Sequence, residues 1–533
     1  MATASTKVGS SCYLGSNPSP QAFAKYAKKH DIFLHPDVAF LVPTKTMGMG
    51  VFAARPLPAG TVVISCPEAS GVSPYMKAVA TSPCIAALQA SPPAMADAVV
   101  FDALVIMAEL CRTRSLWRPW LEACPCMEHH LFDLTALQAA SLGIDCAAAE
   151  EEDGRGAAAA TTAPLLLASV TGVAQALGEL RVRQRWTTAQ AVMAAFPEIW
   201  PADRATVDLF HEALAQVFSR NFHREELVGR EGPYLLPGLD ILNHSFAANT
   251  TFEIRGGGRK HATAFTVVTT RAVQRGEQVY GCYGRIGAAR FAVEFQFVTS
   301  AVLRNDLVRC SAASLVTIAT VMHYWTGARA AAVCGAGPPS IGAYVEGNPS
   351  PDTLSTARTM AWRPSLFGAD TAADVESRRK EMSRRVERLQ RLGLLYDEGL
   401  YLVRPYATWE AEEATEAVPS FRWSTAAEHA AEVARHRRVL AATVLLLTAA
   451  KEVYEDTYHR ITVDWEPPQS ATVAAAVRDF LHIKMFAAQH QHDAVPHLFG
   501  DTPHDLLRRR LVQDVLTSEM ATLRYYADSF AKE

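Results

Sequence analysis

Three short segments of the chain carry residues suited to holding a small ligand and doing chemistry beside it. In the first of these, Asn243 and His244 follow an apolar stretch, so both polar side chains need hydrogen-bond partners in a buried setting. In the second, Tyr283 lies between Cys282 and Gly284, and the hydroxyl of a buried tyrosine needs a partner as well. Taken singly, each residue is more simply explained by hydrogen bonds to neighbouring backbone. Whether these residues form one functional site depends on the strands and turns that bring them together.

The third segment is a Gly-x-Gly turn at residues 48–50. Glycine has no Cβ, so the backbone of such a turn can approach a ligand closely. These glycines precede a predicted strand, whereas a dinucleotide-binding loop follows a strand and opens a helix. The later Gly-Ala-Gly at 335–337 is also a poor nucleotide loop, because two prolines follow it and prevent a regular helix.

Hydrophobic periodicity predicts strands and helices in separate blocks. Alternating apolar residues predict strands at 38–42, 51–54 and 61–65, and a hairpin over 252–268. Helical spacing predicts a helix at 20–29 and a helical block over about 72–230. Beyond residue 370 the pattern is helical to the end, and a helix at 378–395 closes near Gly393.

In their order along the chain, the three segments resemble the opening and closing motifs of a SET domain. They are Met-Gly-Met-Gly-Val-Phe at 47–52, Leu-Asp-Ile-Leu-Asn-His-Ser at 239–245 with Asn249 beyond it, and Arg-Gly-Glu-Gln-Val-Tyr-Gly-Cys-Tyr-Gly at 275–284. Residues 115–121 and 219–222 resemble the helical insert of the branch that contains the Rubisco large-subunit and actin-histidine methyltransferases. The resemblance covers 35–300. It extends more loosely to the C-terminal part, which is similar to that branch's substrate-binding domain.

This resemblance implies a protein-lysine N-methyltransferase that uses S-adenosylmethionine. A protein-histidine methyltransferase and a SET-fold binding module without catalysis are the alternatives. Tyr283 is the expected catalytic residue, at the channel where methyl donor meets amine. The expected cofactor-binding residues are Met47, Gly48, Met49, Gly50, Arg220, Asn243, His244 and Tyr283, and the expected substrate-binding residues are Asp240, Arg220, Phe295 and Phe297. For Asp240, a local cap or an ion pair is an equally good interpretation.

The sequence departs from the branch's usual pattern in two places. Residues 295–298 are Phe-Gln-Phe-Val where the branch often has Tyr-Gly-Phe-Val, so one hydroxyl near the target amine is missing. Residues 285–289 are Arg-Ile-Gly-Ala-Ala where the branch often has a Ser-Asn pair. Aromatic residues near the amine influence how many methyls SET enzymes add, so the number of methyls is left open.

The predicted fold class is α+β: a β-rich SET fold with a pseudoknot-like closure and a helical insert, followed by a C-terminal all-α domain. The predicted boundaries are an N-terminal arm at 1–30, a SET domain at 31–300 and a helical substrate-binding domain at 301–533. The helical insert spans about 72–230 and contains a low-complexity loop at 147–163. A loose segment rich in Gly, Pro and Ser lies at 333–352.

Composition argues against several other classes of protein. The 533 residues carry a formal net charge of −4, without the basic excess of a nucleic-acid binder. The longest apolar run, 439–450, is shorter than the roughly 20 residues that span a bilayer, and the polar residues 1–20 lack the apolar core of a signal peptide. We therefore expect a monomer in the cytoplasm or the nucleus that contacts a protein substrate, without nucleic acid or membrane.

The ten cysteines are scattered, which is typical of reduced thiols rather than of a disulfide framework. The tightest group is Cys124, Cys126, His129 and His130, but no second Cys or His pair lies at zinc-finger spacing. No metal is expected.

Overall fold

A computed structural model describes residues 19–45, 47–74, 83–112, 114–115, 117–124, 130–132, 170–223, 232–256, 263–284, 286–320, 322, 372–396, 399–405, 408, 426–449, 454, 467–468 and 470–531. Residues 1–18 of the predicted N-terminal arm lie outside this part of the chain. The predicted segments at 147–163 and 333–352 lie outside it too.

The helices with defined bounds are, in chain order, α1 (Pro20–Lys29), α2 (Pro83–Gln89), α3 (Pro92–Ala96), α4 (Ala98–Cys111), α5 (Arg118–Leu121), α6 (Gly172–Glu179), α7 (Val182–Ala195), α8 (Val207–Arg220), α9 (Ala288–Arg290), α10 (Ser300–Arg304), α11 (Ala372–Arg391), α12 (Ala426–Thr448), α13 (Ala471–Leu498) and α14 (Pro503–Ser529). Helix α1 has the predicted bounds, because Ser19 caps it by accepting from the N–H of Ala22 and a proline opens its first turn. Among the described helices, none is both long and apolar enough to cross a membrane.

The strands are β1 (Phe33–Leu34), β2 (Val38–Pro43), β3 (Met49–Ala53), β4 (Val62–Pro67), β5 (Asn221–Phe222), β6 (Tyr234–Leu235), β7 (Asn243–His244), β8 (Thr250–Arg255), β9 (Ala264–Thr269), β10 (Gln278–Gly281), β11 (Leu307–Cys310) and β12 (Leu400–Val403). Strands β2, β3 and β4 match the three predicted strands to within about two residues, the usual uncertainty of element ends. The predicted hairpin is present as the antiparallel pair β8–β9, with Thr251 opposite Val268.

The chain forms two compact units. The strand-rich unit comprises Met1–Asp133 and Arg181–Arg285, and the helical unit comprises Leu134–Leu180 and Ile286–Glu533. The two units are defined by packing alone. The predicted boundary at residue 300, between the SET domain and the substrate-binding domain, therefore stays a prediction.

The strand-rich unit contains two four-stranded sheets, ordered β1-β4-β9-β8 and β2-β3-β10-β7. Strand β10 runs antiparallel to β3, with Val279 opposite Val51, and parallel to β7, with Tyr280 opposite Asn243. Val51 and Val279 are fully buried, so this central contact belongs to the core. A late strand therefore lies between two strands that are distant in sequence, which is the closure expected of the fold.

The helical unit is built around α11, α12, α13 and α14, whose apolar side chains share one core. It is mainly helical, as predicted. In the part of this unit that the structure describes, the departure from an all-α domain is the antiparallel pair β11–β12, in which Val308 lies opposite Leu402. These strands are separated by some ninety positions of chain, so local periodicity gave no sign of their pairing.

A buried ion pair fastens the start of α6 to the long helices of the same unit. The ammonium of Lys484 lies 2.7 Å from Oε1 of Glu519, and both side chains are almost fully buried. Lys484 also donates to the carbonyl of Val170, and Oε2 of Glu519 accepts from the N–H of Gly172 at 2.9 Å. The pair thus satisfies backbone groups at a helix N-terminus, where unpaired N–H groups concentrate.

In the strand-rich unit, Asp102 lies on helix α4, which is buried along nearly its whole length. The side chain is fully buried, and neither carboxyl oxygen has a hydrogen-bond partner among the residues that the structure describes. Burial raises the pKa of Asp102 well above its usual range, because an ionised carboxylate has nothing to compensate it there. We therefore expect Asp102 to keep its proton in the folded protein.

Asp102→Asn is expected to stabilise the protein by an amount that grows with pH. Below about pH 4 the carboxyl is protonated in both the folded and the unfolded chain, so the two proteins differ little. At higher pH the unfolded chain releases this proton while folded Asp102 retains it. Wild-type stability then falls by up to about 1.4 kcal/mol per pH unit relative to the variant. Urea unfolding across this range measures the divergence.

Asp203 is exposed, so Asp203→Asn is the control for removing one negative charge. A stability difference between Asp102→Asn and wild type that stays constant with pH would mean that folded Asp102 is ionised.

Candidate functional site

The turn that precedes β3 has a backbone shape set by one threonine and one glycine. The N–H of Thr44 donates to the carbonyl of Gly48 at 2.8 Å, and the Thr44 hydroxyl donates to the same oxygen at 3.0 Å. That hydroxyl also accepts from the N–H of Met47 at 2.8 Å. Gly48 has φ +63°, in the left-handed region that favours glycine. The side chain of Met47 is exposed, so the turn depends on backbone rather than on methionine packing.

Gly50 allows β3 to approach two polar side chains. A Cβ at this position would lie 2.6 Å from Nε2 of Gln278 and 3.1 Å from Nδ2 of Asn243. Both distances are too short for an unchanged structure. The sequence suggested that the backbone at Gly50 lies close to a ligand. The structure shows that the side-chain amides of Gln278 and Asn243 lie close to it.

Asn243 joins the three motif segments through one hydrogen bond and one strand pairing. Its side-chain Nδ2 donates to the carbonyl of Met49 at 3.0 Å, while its backbone pairs with Tyr280 on β10. The pairing continues where the N–H of Ser245 donates to the carbonyl of Gly281 at 2.9 Å. Residues from the three separated motifs are therefore held within one small region.

His244 and Tyr283 form a linked pair in this region. The backbone N–H of Tyr283 donates to Nδ1 of His244 at 3.1 Å, and the two ring centroids are 5.2 Å apart. The hydroxyl of Tyr283 donates to the carbonyl of Leu242 at 2.6 Å. Tyr283 is therefore fixed at two points. His244 holds its backbone N–H, and the carbonyl of Leu242 holds its hydroxyl.

Both side chains are neutral at physiological pH. Burial lowers the pKa of His244 to about 4. Because its Nδ1 accepts a hydrogen bond, the neutral ring carries its proton on Nε2. Burial raises the pKa of Tyr283 to about 12, although the nearby positive charge of Arg220 acts in the opposite direction.

A buried ion pair lies near Tyr283. Nη1 of Arg220, at the end of α8, donates to Oδ2 of Asp240 at 3.1 Å and to its carbonyl at 2.9 Å. Nε1 of Trp120 donates to the same Oδ2 at 2.8 Å, and Oδ1 accepts from the N–H of Gly238 at 2.9 Å. The Asp240 side chain has no exposed surface. Its carboxylate is therefore committed to partners within the protein, as the ion-pair interpretation expects.

A family model for the SET domain matches residues 48–284, which include Gly48, Gly50, Asn243, His244 and Tyr283. This segment is a SET domain.

Solved SET structures share the fold. The SET domain of LSMT bound to lysine and AdoHcy superposes with a TM-score of 0.52 at 15% sequence identity, covering 97% of this chain and 91% of that one. Rubisco LSMT bound to sinefungin and monomethyllysine gives a TM-score of 0.52 at 15% identity, covering 97% and 92%. Rubisco LSMT bound to AdoMet gives 0.51 at 14% identity with the same coverage. No curated protein matches the chain in sequence.

The SET domain brings together most of the residues predicted for the site. The turn at 47–50, Asn243, His244 and Tyr283 are linked directly, and Arg220 and Asp240 form a buried ion pair near Tyr283. The roles expected of these residues toward donor and substrate stay predictions.

Phe295 and Phe297 belong to the helical unit. Each packs against Phe291, with ring centroids 5.5 and 5.4 Å away. Gln296 between them has φ 60°, the left-handed conformation that suits the glycine usual in this branch. The substrate role expected for the two phenylalanines stays a prediction.

Three supporting residues were given no role in the predicted site, although Asn249 was noted beside the second motif. Trp120 holds Asp240, and Gln216 accepts from Nε of Arg220 at 3.0 Å. Asn249 fixes β10 from the side: its Oδ1 accepts from the N–H of Tyr280 and its Nδ2 donates to the carbonyl of Gln278, both at 2.9 Å. The position of Asn249 just beyond the second motif was the available signal.

No group of His, Cys, Asp or Glu among the described residues is arranged to hold a metal ion. The thiol of Cys124 is buried, which raises its pKa to about 12, and it donates to the carbonyl of Trp120. His130 stacks on Phe132. The other two members of that sequence cluster, Cys126 and His129, lie outside the described residues.

Asp240→Asn is expected to destabilise the SET domain strongly, because it leaves the buried guanidinium of Arg220 without its counter-charge. Removing one partner of a buried ion pair typically costs about 3–5 kcal/mol. Urea unfolding of the full chain measures the loss.

Asp37→Asn is the matched control, since Asp37 pairs with an Arg55 side chain that is 77% exposed. That change should cost at most about 1 kcal/mol. Equal losses in the two variants would remove the Arg220–Asp240 pair from the structural role assigned to it.

Proposed function

We propose that this protein transfers a methyl group from S-adenosylmethionine to a lysine side chain of another protein. The observation that carries the proposal is the hydrogen bond from Asn243 to the carbonyl of Met49. With the pairing of β7 and β10, it holds the turn at 47–50, the Asn-His pair and Tyr283 in one constellation.

The residues at the turn suit a donor of this kind. A Cβ at Gly48 would meet no atom within 4 Å, so there is open space beside the left-handed glycine. Residues 47–50, Asn243 and His244 would hold the donor, and Arg220, whose charge is balanced by Asp240, lies at the end of α8. The related SET structures contain AdoMet, AdoHcy or sinefungin, which favours the same class of ligand here. When bound, the donor supplies an electrophilic methyl group on a sulfonium.

Tyr283 acts in this proposal as a hydrogen-bond acceptor. A phenol has one proton, and that of Tyr283 is donated to the carbonyl of Leu242. The same oxygen can then only accept, from an amine N–H or, more weakly, from a polarised C–H. With a pKa of about 12 the hydroxyl is also no general base at neutral pH. The protein's contribution is to hold donor and amine in line, which can supply much of the rate enhancement of a displacement.

Tyr283→Phe is expected to leave the fold intact and to reduce methyl transfer by about 10²-fold or more, the scale of losing one preorganised polar group. Labelled S-adenosylmethionine and cell extract provide the assay, and mass spectrometry identifies the labelled proteins and the modified side chain. Turnover of a verified substrate is then compared between variant and wild type.

Tyr280→Phe removes a hydroxyl from the same stretch of chain and is the control. Unchanged turnover by Tyr283→Phe would remove Tyr283 from the reaction. Donor binding is measured separately: S-adenosylmethionine at about 100 times its Kd should stabilise the protein by roughly 2.7 kcal/mol. No stabilisation at saturation would instead favour the binding module without catalysis.

The pH dependence of kcat/KM is expected to report the ionisation of the target rather than of the site. His244 and Tyr283, with pKa values of about 4 and about 12, both stay neutral between these limits. For a lysine target, kcat/KM should rise about tenfold per pH unit from neutral pH toward the amine pKa of about 10.4. Initial rates on the identified substrate measure the profile.

A profile that levels off just above about pH 6.5 would instead assign the reaction to a histidine target. A descending limb between about pH 8 and about pH 9 would contradict the neutral state assigned to Tyr283.

A further inference from the structure

Residues 291–297, here called the aromatic segment, have a backbone that is costly to maintain. Phe291–Phe295 form a π-helix, a rare wide turn that is frequent at functional sites. Gln296 follows in the left-handed region, with φ 60°, although it carries a side chain. Such conformations persist only where the surrounding structure fixes them, and they cluster at active sites and ligand contacts. Neighbouring elements must therefore hold the aromatic segment in place.

Asp306 holds the start of the chain that leads into this segment. Its Oδ1 accepts at 2.8 Å from the N–H of Ala288, the first residue of α9, and α9 continues directly into the π-helix. Its Oδ2 accepts from the hydroxyl of Ser518, on α14, at 2.7 Å. Asp306 and Ser518 are both buried, and a hydrogen bond shielded from water is stronger than an exposed one. One carboxyl group thus joins the approach to the aromatic segment to helix α14.

Close packing around α9 makes this link effective. A Cβ at Gly287 would collide with the carbonyl oxygen of Leu307, at the start of β11. A Cβ at Gly172 would lie 3.2 Å from the Cβ of Ala289, so the start of α6 lies against α9. Helix α9 therefore has little room to move while its first N–H stays bonded to Asp306.

Glu519, the next residue on α14, holds the neighbouring helix α6. Its Oε2 accepts from the N–H of Gly172 at 2.9 Å, and its Oε1 lies 2.7 Å from the ammonium of Lys484. Ser518 and Glu519 thus act on two short helices that pack against each other. Removing Glu519 would leave the charge of Lys484 buried without its counter-charge, whereas removing the bond between Ser518 and Asp306 would not. This bond is therefore the part of the contact that can be tested by mutation.

We propose that Asp306 is a positioning residue for substrate binding. Through its bonds to Ala288 and Ser518 it holds the aromatic segment in the conformation in which Phe295 and Phe297 contact the protein substrate. The contact with substrate rests on the proposed function, whereas the anchoring of the segment does not. Asp306 acts through the two phenylalanines and not on the reacting atoms.

The first test compares methyl transfer to the identified substrate by the full-length wild type and by Asp306→Ala. The KM for this substrate should rise at least about tenfold, the scale of one lost buried hydrogen bond, while the Kd of S-adenosylmethionine stays within about twofold. A smaller folded fraction would lower the apparent kcat but leave KM unchanged, so KM separates positioning from general damage. An unchanged KM in Asp306→Ala would overturn the proposal.

Asp306→Asn separates the hydrogen bonds of Asp306 from its charge. The Oδ1 of the asparagine can still accept from Ala288, and its Nδ2 can donate to the hydroxyl oxygen of Ser518. This variant should therefore recover most of the loss seen in Asp306→Ala. A rise in KM as large as that of Asp306→Ala would assign the effect to the charge and overturn the proposal.

Ser518→Ala removes only the bond to α14, and it takes the place of Asp306→Ala if that variant does not fold. Its KM should rise as well, and an unchanged KM would overturn the link to α14. Thr522→Val is the matched control, because the buried hydroxyl of Thr522 donates to the carbonyl of Ser518 at 2.9 Å, within α14 itself. Its KM should equal that of wild type. A rise equal to that of Ser518→Ala would assign the effect to any disturbance of α14 and overturn the proposal.

Hydrogen exchange, followed by mass spectrometry without donor or substrate, measures the anchoring directly. In Asp306→Ala the amides of residues 288–297 should exchange at least about tenfold faster than in wild type, while those of α12 and α13 keep their rates. Faster exchange throughout the helical unit would indicate a general loss of stability and overturn the proposal. A wild type that methylates no protein would contradict the proposed function. A wild type that does so, with exchange at 288–297 unchanged by Asp306→Ala, would overturn this inference alone.

Discussion

The candidate site depends on the insertion of β10 between β3 and β7 and on the amide of Asn243 that bridges to the turn beside it. Strand β7 is only two residues long, so backbone pairing alone gives it few hydrogen bonds. Side-chain amides supply the rest: Asn243 bonds Met49, and Asn249 bonds the backbone of β10 on both its donor and its acceptor side. Tyr283 lies two residues beyond the end of β10. The position of Tyr283 is therefore set by the pairing of β10 with β3 and β7, and not by the residues next to it in sequence.

This origin explains which features the sequence predicted. Elements set by nearby residues were found: α1 with its Ser19 cap, the β8–β9 hairpin and the strands around the early turn. The order of motifs also predicted that Asn243, His244 and Tyr283 lie together. Contacts such as Trp120 with Asp240, 120 positions apart, follow no period in the sequence. The pair β11–β12 likewise forms only when segments distant in sequence come together.

Among the residues that the structure describes, each unit contains a buried ion pair whose charges also satisfy backbone groups. Asp240 bonds the N–H of Gly238, and Glu519 bonds the N–H of Gly172. Replacing such pairs by apolar side chains is often neutral or stabilising, so their presence is weak evidence for stability. These pairs do fix the relative position of the segments that they join, because the hydrogen bonds of a carboxylate or an ammonium group have preferred directions. In the SET domain that geometry fixes the end of α8 against the 3₁₀ turn Leu239–Ile241, directly before the Asn-His pair.

The neutral state of the two rings limits what the site can do. Nδ1 of His244 accepts from the N–H of Tyr283. The proton of the neutral ring is therefore on Nε2, which can act as a donor. Tyr283 has its proton fixed on Leu242, which leaves its oxygen as an acceptor. Neither group gains or loses a proton near neutral pH, so both present constant dipoles that need no reorganisation during a reaction. A site of this kind suits a displacement in which charge moves from donor to acceptor without a proton passing through the protein.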